Sequence, residues 1–146
     1  MTKPSAGKLI VHSERCHGCQ ACMIACSVVK DGRANPAWAR LHVIVDVLGA
    51  RQSIQYCRQC RKAPCAEACP AEAIQRTEAG YWTVDGALCT GCGACVAACP
   101  FGVICLAPDG AAVKCDTCAG NPQCVASCPS GALAWHAPAA APISAE

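Results

Sequence analysis

The chain has 146 residues, of which 17 are Cys (about 12%), with one Phe, two Tyr and three Trp. A chain so poor in large side chains builds a thin core, so something besides hydrophobic burial must hold it together. Its formal charge of +2 gives no electrostatic footprint for nucleic acid. Its longest strongly apolar run, residues 41–48, carries His42 and Asp46 and is far short of the ~20 residues of a membrane helix.

Residues 1–8 hold neither an apolar stretch nor a twin Arg, which reads as no secretory signal and a cytoplasmic setting. Residues 8–12 predict a short strand. It leads into Cys16, Cys19, Cys22 and Cys26, spaced x2, x2, x3. Residues 21–30 predict a helix stopped near Asp31-Gly32, and the β-rich run 41–48 predicts a strand. Cys57, Cys60, Cys65 and Cys69 follow, spaced x2, x4, x3. Residues 73–77 and 81–85 flank Glu78-Ala79-Gly80 and predict a hairpin. A third group, Cys89, Cys92, Cys95 and Cys99, repeats x2, x2, x3. Residues 103–107 and 111–114 predict a second hairpin around Pro108-Asp109-Gly110. The fourth group is Cys115, Cys118, Cys124 and Cys128, spaced x2, x5, x3. Residues 65–69, 95–99 and 124–128 predict single helical turns, and 132–136 a last strand. Residues 137–146 are rich in Ala and Pro and read as a flexible tail.

Four groups of four leave Cys105 over. A disulfide framework is disfavoured by the odd count and by the spacing. Zinc asks for one tetrahedron, commonly from two separated pairs, and remains the non-redox alternative as a structural module. A cubane iron–sulfur cluster instead needs four thiolates, one for each iron. A tight C-x2-C-x2-C loop places three around one cube, and the fourth Cys reaches a second cluster. That fourth Cys is expected to begin a helix leading away. Pro70, Pro100 and Pro129 follow it in groups two to four, and Ser27 does so in group one. Gly18, Gly91, Gly93 and Ala94 are small enough to let backbone N–H groups approach the sulfurs.

These groups, Cys16-His17-Gly18-Cys19-Gln20-Ala21-Cys22, Cys57-Arg58-Gln59-Cys60, Cys89-Thr90-Gly91-Cys92-Gly93-Ala94-Cys95 and Cys115-Asp116-Thr117-Cys118, resemble the four-cluster, polyferredoxin-like electron-transfer subunits of multi-subunit oxidoreductases. The resemblance covers about residues 9–136. It implies an α+β fold of two ferredoxin-like dicluster modules with short strands, short helical turns and much loop. It also implies a nested pairing of groups. One 4Fe-4S cluster would take Cys16, Cys19, Cys22 and Cys128. A second would take Cys26, Cys115, Cys118 and Cys124. A third would take Cys57, Cys60, Cys65 and Cys99, and a fourth Cys69, Cys89, Cys92 and Cys95. Residues 1–56 with 100–136 would form an outer module and residues 57–99 an inner one. Four oxidised clusters would turn the formal +2 into about −6.

Electron transfer without a catalytic site is the expected role. Among the motifs absent are a Gly-rich nucleotide loop and a radical-generating C-x3-C-x2-C pattern. A chain of this length has a diameter of roughly 38 Å, so four clusters in a row would sit on the order of 10 Å apart. The segments Ser27 to Pro36 and Ala39 to Val43 are similar to the linker in iron–sulfur subunits found with tungsten-dependent aldehyde oxidoreductases and carbon monoxide dehydrogenase. The expected partner is thus a catalytic subunit, with a tungsten or molybdenum pterin enzyme of aldehyde or formate type favoured. The alternatives are a carbon monoxide dehydrogenase, a hydrogenase, or no fixed partner. A flavin/NAD subunit or a ferredoxin would take the electrons, and copies of the chain could stack into a longer conductor. Cys105 is expected in the core, and His17 as an exposed polar residue. Trp38, Trp82 and Trp135 read as packing residues. Arg58, Arg61 and Lys62 read as a solvated loop, or as a docking patch.

Overall fold

The computed structural model describes residues 7–137. Of the tail expected at residues 137–146, only residue 137 lies within them. Twelve regular elements occur in order: β1 (Lys8–Val11), α1 (Ala21–Asp31), β2 (His42–Asp46), β3 (Arg51–Gln55), α2 (Pro64–Glu67), β4 (Ile74–Arg76), β5 (Trp82–Val84), α3 (Ala94–Ala98), β6 (Cys105–Leu106), β7 (Ala112–Val113), α4 (Gln123–Ala126) and β8 (Leu133–His136). Short 3-10 turns occupy Ser13–Arg15, Pro36–Trp38 and Thr117–Gly120. The fold is α+β, with short strands and much loop.

Among the described residues every sheet is a two-stranded antiparallel ribbon: β1–β8, β2–β3, β4–β5 and β6–β7. The last two follow from their turns. Gly80 N–H donates to Thr77 O at 2.9 Å, and Gly110 N–H to Ala107 O at 2.8 Å, so the two hairpins close alike. The β1–β8 ribbon joins distant segments, with Leu9 opposite Trp135 and Val11 opposite Leu133. His12 N–H extends the ladder to Ala132 O at 2.7 Å.

Three expectations need correction. The strand expected at 41–48 stops at Asp46, whose carboxylate accepts the Gly49 N–H at 2.9 Å and turns the chain back. It then pairs with β3, which no alternation announces. In Arg-Gln-Ser-Ile-Gln only Ile54 is apolar, and it is the residue buried.

Second, the fourth Cys of groups two to four closes a helical turn rather than opening one. α2, α3 and α4 end at Glu67, Ala98 and Ala126, before Cys69, Cys99 and Cys128. The next residue is Pro in each case, and a residue before Pro is pushed out of the helical region. Cys99 accordingly has φ −72° and ψ 114°. Group one has Ser27, and there α1 runs on to Asp31. Ser27 is fully buried, donating to Ile24 O at 2.9 Å and accepting from Asn35 N–H at 3.0 Å. Gly32, at φ 70°, then ends the helix in a left-handed cap with its N–H on Val28 O.

Third, Cys105 is half-buried rather than in a core. It sits on a ribbon of two residue pairs and faces an open groove bordered by Asp31, Arg33 and Trp38.

The apolar residues form two small cores. One gathers Met23, Leu41, Val43, Ile54 and Leu133 around Cys22 and Cys26. The other gathers Ala63, Ile74 and Ile104 around Cys65 and Cys95. α1 packs against α4, and α2 against α3. Among the described residues no helix is long and apolar enough to cross a membrane.

Candidate iron–sulfur centres

The four cysteine loops share one turn. The second residue after the first Cys has positive φ in each: Gly18 at 71°, Gln59 at 48°, Gly91 at 71° and Thr117 at 58°. This conformation points the N–H of Gly18, Gln59 and Thr117 at the preceding sulfur, 3.4, 3.5 and 3.4 Å from Cys16, Cys57 and Cys115 Sγ. Glycine adopts it freely. Gln and Thr do so at a cost of roughly 1–2 kcal/mol per residue, so neighbours must hold them there.

Gln59 is held through its side chain. Its Nε2 donates to Cys115 O and its Oε1 accepts from Trp82 N–H, both at 2.7 Å. The group four loop is stretched further, with Thr117, Cys118 and Ala119 successively left-handed. Asp116 restrains it by accepting from Cys118 N–H at 3.0 Å while ion-paired to Lys30 at 2.6 Å.

The loops bring the sulfurs round four cavities. Cys16, Cys19, Cys22 and Cys128 border one. Cys26, Cys115, Cys118 and Cys124 border a second, together with Cys57. Cys57, Cys60, Cys65 and Cys99 border a third, and Cys69, Cys89, Cys92 and Cys95 a fourth. Cys57 therefore lies between the second and third. Helix α1 carries Cys22 to the first and Cys26 to the second. Two of the sixteen are exposed, Cys19 at the first cavity and Cys92 at the fourth.

Soft thiolates in fours are the donor set of iron–sulfur clusters, so the residues present fit that group. Among the described residues no three His, Cys, Asp or Glu side chains converge as a single ion requires. A tetrahedral zinc site would hold its sulfurs about 3.8 Å apart, given a Zn–S bond of 2.3 Å.

The turns after Cys69 and Cys128 supply further donors. Cys69 loses a little to burial, but the N–H groups of Ala71, Glu72, Ala73 and Ile74 outweigh it and hold the thiol below its ordinary range. Cys128 is likewise lowered by the Ser130 hydroxyl and the N–H groups of Ser130, Ala132 and Leu133. The Pro-led turn is thus a nest of donors around one sulfur. Elsewhere burial dominates. It pushes the Cys22 thiol up to about 11, and Cys115 and Cys124 up to about 12, from an ordinary 9.0.

Thiols held up in this way must give up their protons when a cluster takes them as thiolates, so cluster loading at these positions releases protons and is expected to weaken as pH falls, which iron counted per chain across a pH series checks.

His17 is exposed at the rim of the first cavity. Trp82 Nε1–H donates to Cys60 O at 2.8 Å, a packing role with a polar anchor. Arg58, Arg61 and Lys62 are all exposed. Arg58 is nonetheless fixed over the Tyr56 and Phe101 rings, at 4.2 and 5.2 Å, and borders the second and third cavities. Lys114 and Gln59 were not singled out by the sequence. Lys114 carried one signal, as a lone charge in an apolar run directly before Cys115.

Comparison with known proteins agrees with this chemistry. Residues 56–104 match the 4Fe-4S dicluster domain family, and residues 13–29 a 4Fe-4S binding domain family. The thiosulfate reductase electron transfer subunit PhsB of Salmonella typhi is 40% identical over 118 residues, 74% of this chain and 60% of PhsB. The putative electron transport protein YsaA of Escherichia coli (strain K12) is 36% identical over 118 residues, 74% of this chain and 73% of YsaA. The electron transport protein HydN of the same strain is 37% identical over 103 residues, 66% of this chain and 57% of HydN. The chain thus spans between half and three quarters of these relatives. Among solved structures, a chain of the active site complex BamBC of benzoyl coenzyme A reductase superposes with a TM-score of 0.54. It is 26% identical, over 89% of this chain and 78% of that one. With sixteen cysteines lining four cavities and relatives named for electron transport, the chain belongs to the ferredoxin-like iron–sulfur electron-transport proteins.

Proposed function

We propose that the chain binds four 4Fe-4S clusters and conducts electrons singly between a catalytic oxidoreductase subunit and a second redox partner. The observation that carries this is the gathering of sixteen cysteines around four cavities, at least four to each, with Cys57 shared by two. The proposed ligand sets are Cys16, Cys19, Cys22 and Cys128; Cys26, Cys115, Cys118 and Cys124; Cys57, Cys60, Cys65 and Cys99; and Cys69, Cys89, Cys92 and Cys95. Each cluster, when bound, supplies a one-electron site whose potential responds to N–H donors and nearby charge.

The chain's own part is to order these sites. α1 links the first to the second, Cys57 the second to the third, and the α2–α3 contact the third to the fourth. Exposed Cys19 and Cys92 would leave each end of the row open to a partner. Two dicluster modules follow, an outer one from residues 1–56 and 100–136 and an inner one from residues 57–99. The β6–β7 hairpin packs on the inner one through Ile104 and Ala112.

The partner we favour is a tungsten or molybdenum pterin enzyme of aldehyde or formate type, on the strength of the segment between groups one and two. A flavin/NAD subunit or ferredoxin would stand at the other end. The setting proposed is cytoplasmic, because a reducing compartment keeps unpaired thiols available for cluster assembly.

The test is metal analysis of the tagged protein, purified anaerobically from its host with whatever accompanies it. About sixteen iron per chain, four for each cluster, together with tungsten or molybdenum is the expected result. Iron with nickel would move the partner to a carbon monoxide dehydrogenase or hydrogenase. Zinc without iron would overturn the reading.

A further inference from the structure

Among the described residues Lys114 is the only charged side chain that is buried, at 7% exposure. Its Nζ donates to Cys57 Sγ at 2.9 Å and reaches Cys115 O at 3.5 Å. Four other cations border the cavities; Lys8 and Arg58 are exposed, and the remaining two are each cancelled by a carboxylate. Lys30 is paired with Asp116, and Arg40 with Asp31. Lys114 has no carboxylate partner among the described ion pairs. A buried ammonium is costly unless an anion stands beside it, and the Cys57 sulfur is the group placed to supply one as a cluster-bound thiolate. The other contacts to cysteine sulfur in the described residues come from backbone N–H groups or from the neutral Ser130 hydroxyl.

We infer that Lys114 is a positioning residue for electrons, its fixed charge making the cluster of Cys57, Cys60, Cys65 and Cys99 the most readily reduced of the four. This rests on the four-cluster reading. Reduction at that site would bring in one electron from the neighbouring site and no proton, and the one negative charge added to the sulfur shell would be favoured by the buried cation of Lys114 beside Cys57. Electrons would then collect at the junction of the two modules, where Cys57 borders both cavities, and could leave from there in either direction.

The experiment is a redox titration followed by electron paramagnetic resonance on anaerobically prepared, cluster-loaded protein. It compares wild type, Lys114→Met and Lys114→Arg, with iron counted in each. Lys114→Met should keep the wild-type iron content. At a fixed poise its first-reduced component should show an about tenfold lower ratio of reduced to oxidised cluster, equivalent to roughly 59 mV for one electron. Lys114→Arg should restore the wild-type ratio. Unchanged components in a fully loaded Lys114→Met protein would overturn the inference.

A second measurement needs no variant. Wild type grown with lysine carrying 15N at the ζ position should show a nitrogen coupling on the component reduced first. Coupling on a later component, or none, would overturn the inference even if Lys114→Met fails to load. A wild-type chain with fewer than four components counts against the four-cluster reading. The lysine coupling on whichever component is reduced first still decides the role of Lys114.

Discussion

Stripping the iron with a chelator is expected to unfold the chain as a whole, with loss of its entire folding free energy, about 5–15 kcal/mol for a domain of ordinary stability. The reason lies in what remains. Every sheet among the described residues has two strands, and an isolated ribbon is marginal in water. The longest helix among the described residues has 11 residues, below the ~12–15 at which isolated helices become even marginal. The two cores are small, and each includes cysteines that border a cavity, Cys22 and Cys26 in one and Cys65 and Cys95 in the other. With the cavities empty these elements have little to pack against, so cluster binding is folding free energy. Far-UV circular dichroism and amide hydrogen exchange, measured before and after chelation, check this. Protected amides in β1 and β8 after complete iron removal would show that the ribbons stand alone.

The second large effect is expected at Gly91. Its φ is +71°, and a Cβ there would lie 2.6 Å from Gly110 O, a backbone atom that cannot swing away. Gly91→Ala therefore combines left-handed strain of roughly 1–2 kcal/mol with a forced separation of the group three loop from the β6–β7 turn. That turn places Ala112, whose N–H donates to Cys89 Sγ at 3.3 Å. The expected outcome is a drop from about sixteen iron per chain to about twelve, the loss of one 4Fe-4S cluster. Two controls separate the causes. Gly102 has φ +62° with nothing near its Cβ position, so Gly102→Ala tests strain alone. Gly86 has neither feature, so Gly86→Ala should load fully. Full loading of Gly91→Ala would mean that the Gly110 turn yields at little cost.

What could be read from the sequence was whatever punctuation residues carry. Glu78-Ala79-Gly80 and Pro108-Asp109-Gly110 announced their hairpins, and Gly32 announced the end of α1, because each needs a backbone shape that few residues supply. β3 stayed hidden, since its burial rests on Ile54 alone and its pairing on a turn pinned by Asp46. The left-handed Gln59 and Thr117 stayed hidden for the opposite reason. Neither residue type signals positive φ; tertiary bonds to Cys115 and Trp82 hold Gln59 there, and the Lys30–Asp116 pair restrains the loop of Thr117. Cys105 was misjudged because its type prefers burial, whereas its ribbon is too short to cover it. The buried charge of Lys114 had only its apolar neighbours as a signal, because its partner Cys57, 2.9 Å away in the fold, is distant in sequence.

The pairing of β1 with β8 also has a consequence in time. A chain leaves the ribosome at about 5–20 residues per second, and its earlier parts fold first. The β4–β5 and β6–β7 ribbons join neighbours in sequence and can close as they emerge. Lys8–Val11 must wait for Leu133–His136. Under the proposed assignment Cys16, Cys19 and Cys22 wait with them for Cys128, a nascent half-nest with three sulfurs and no lid. Iron delivered during synthesis would thus settle from the inside outward, and a truncated product lacking that last strand would keep its inner pair while leaving the outer sulfurs open to oxygen.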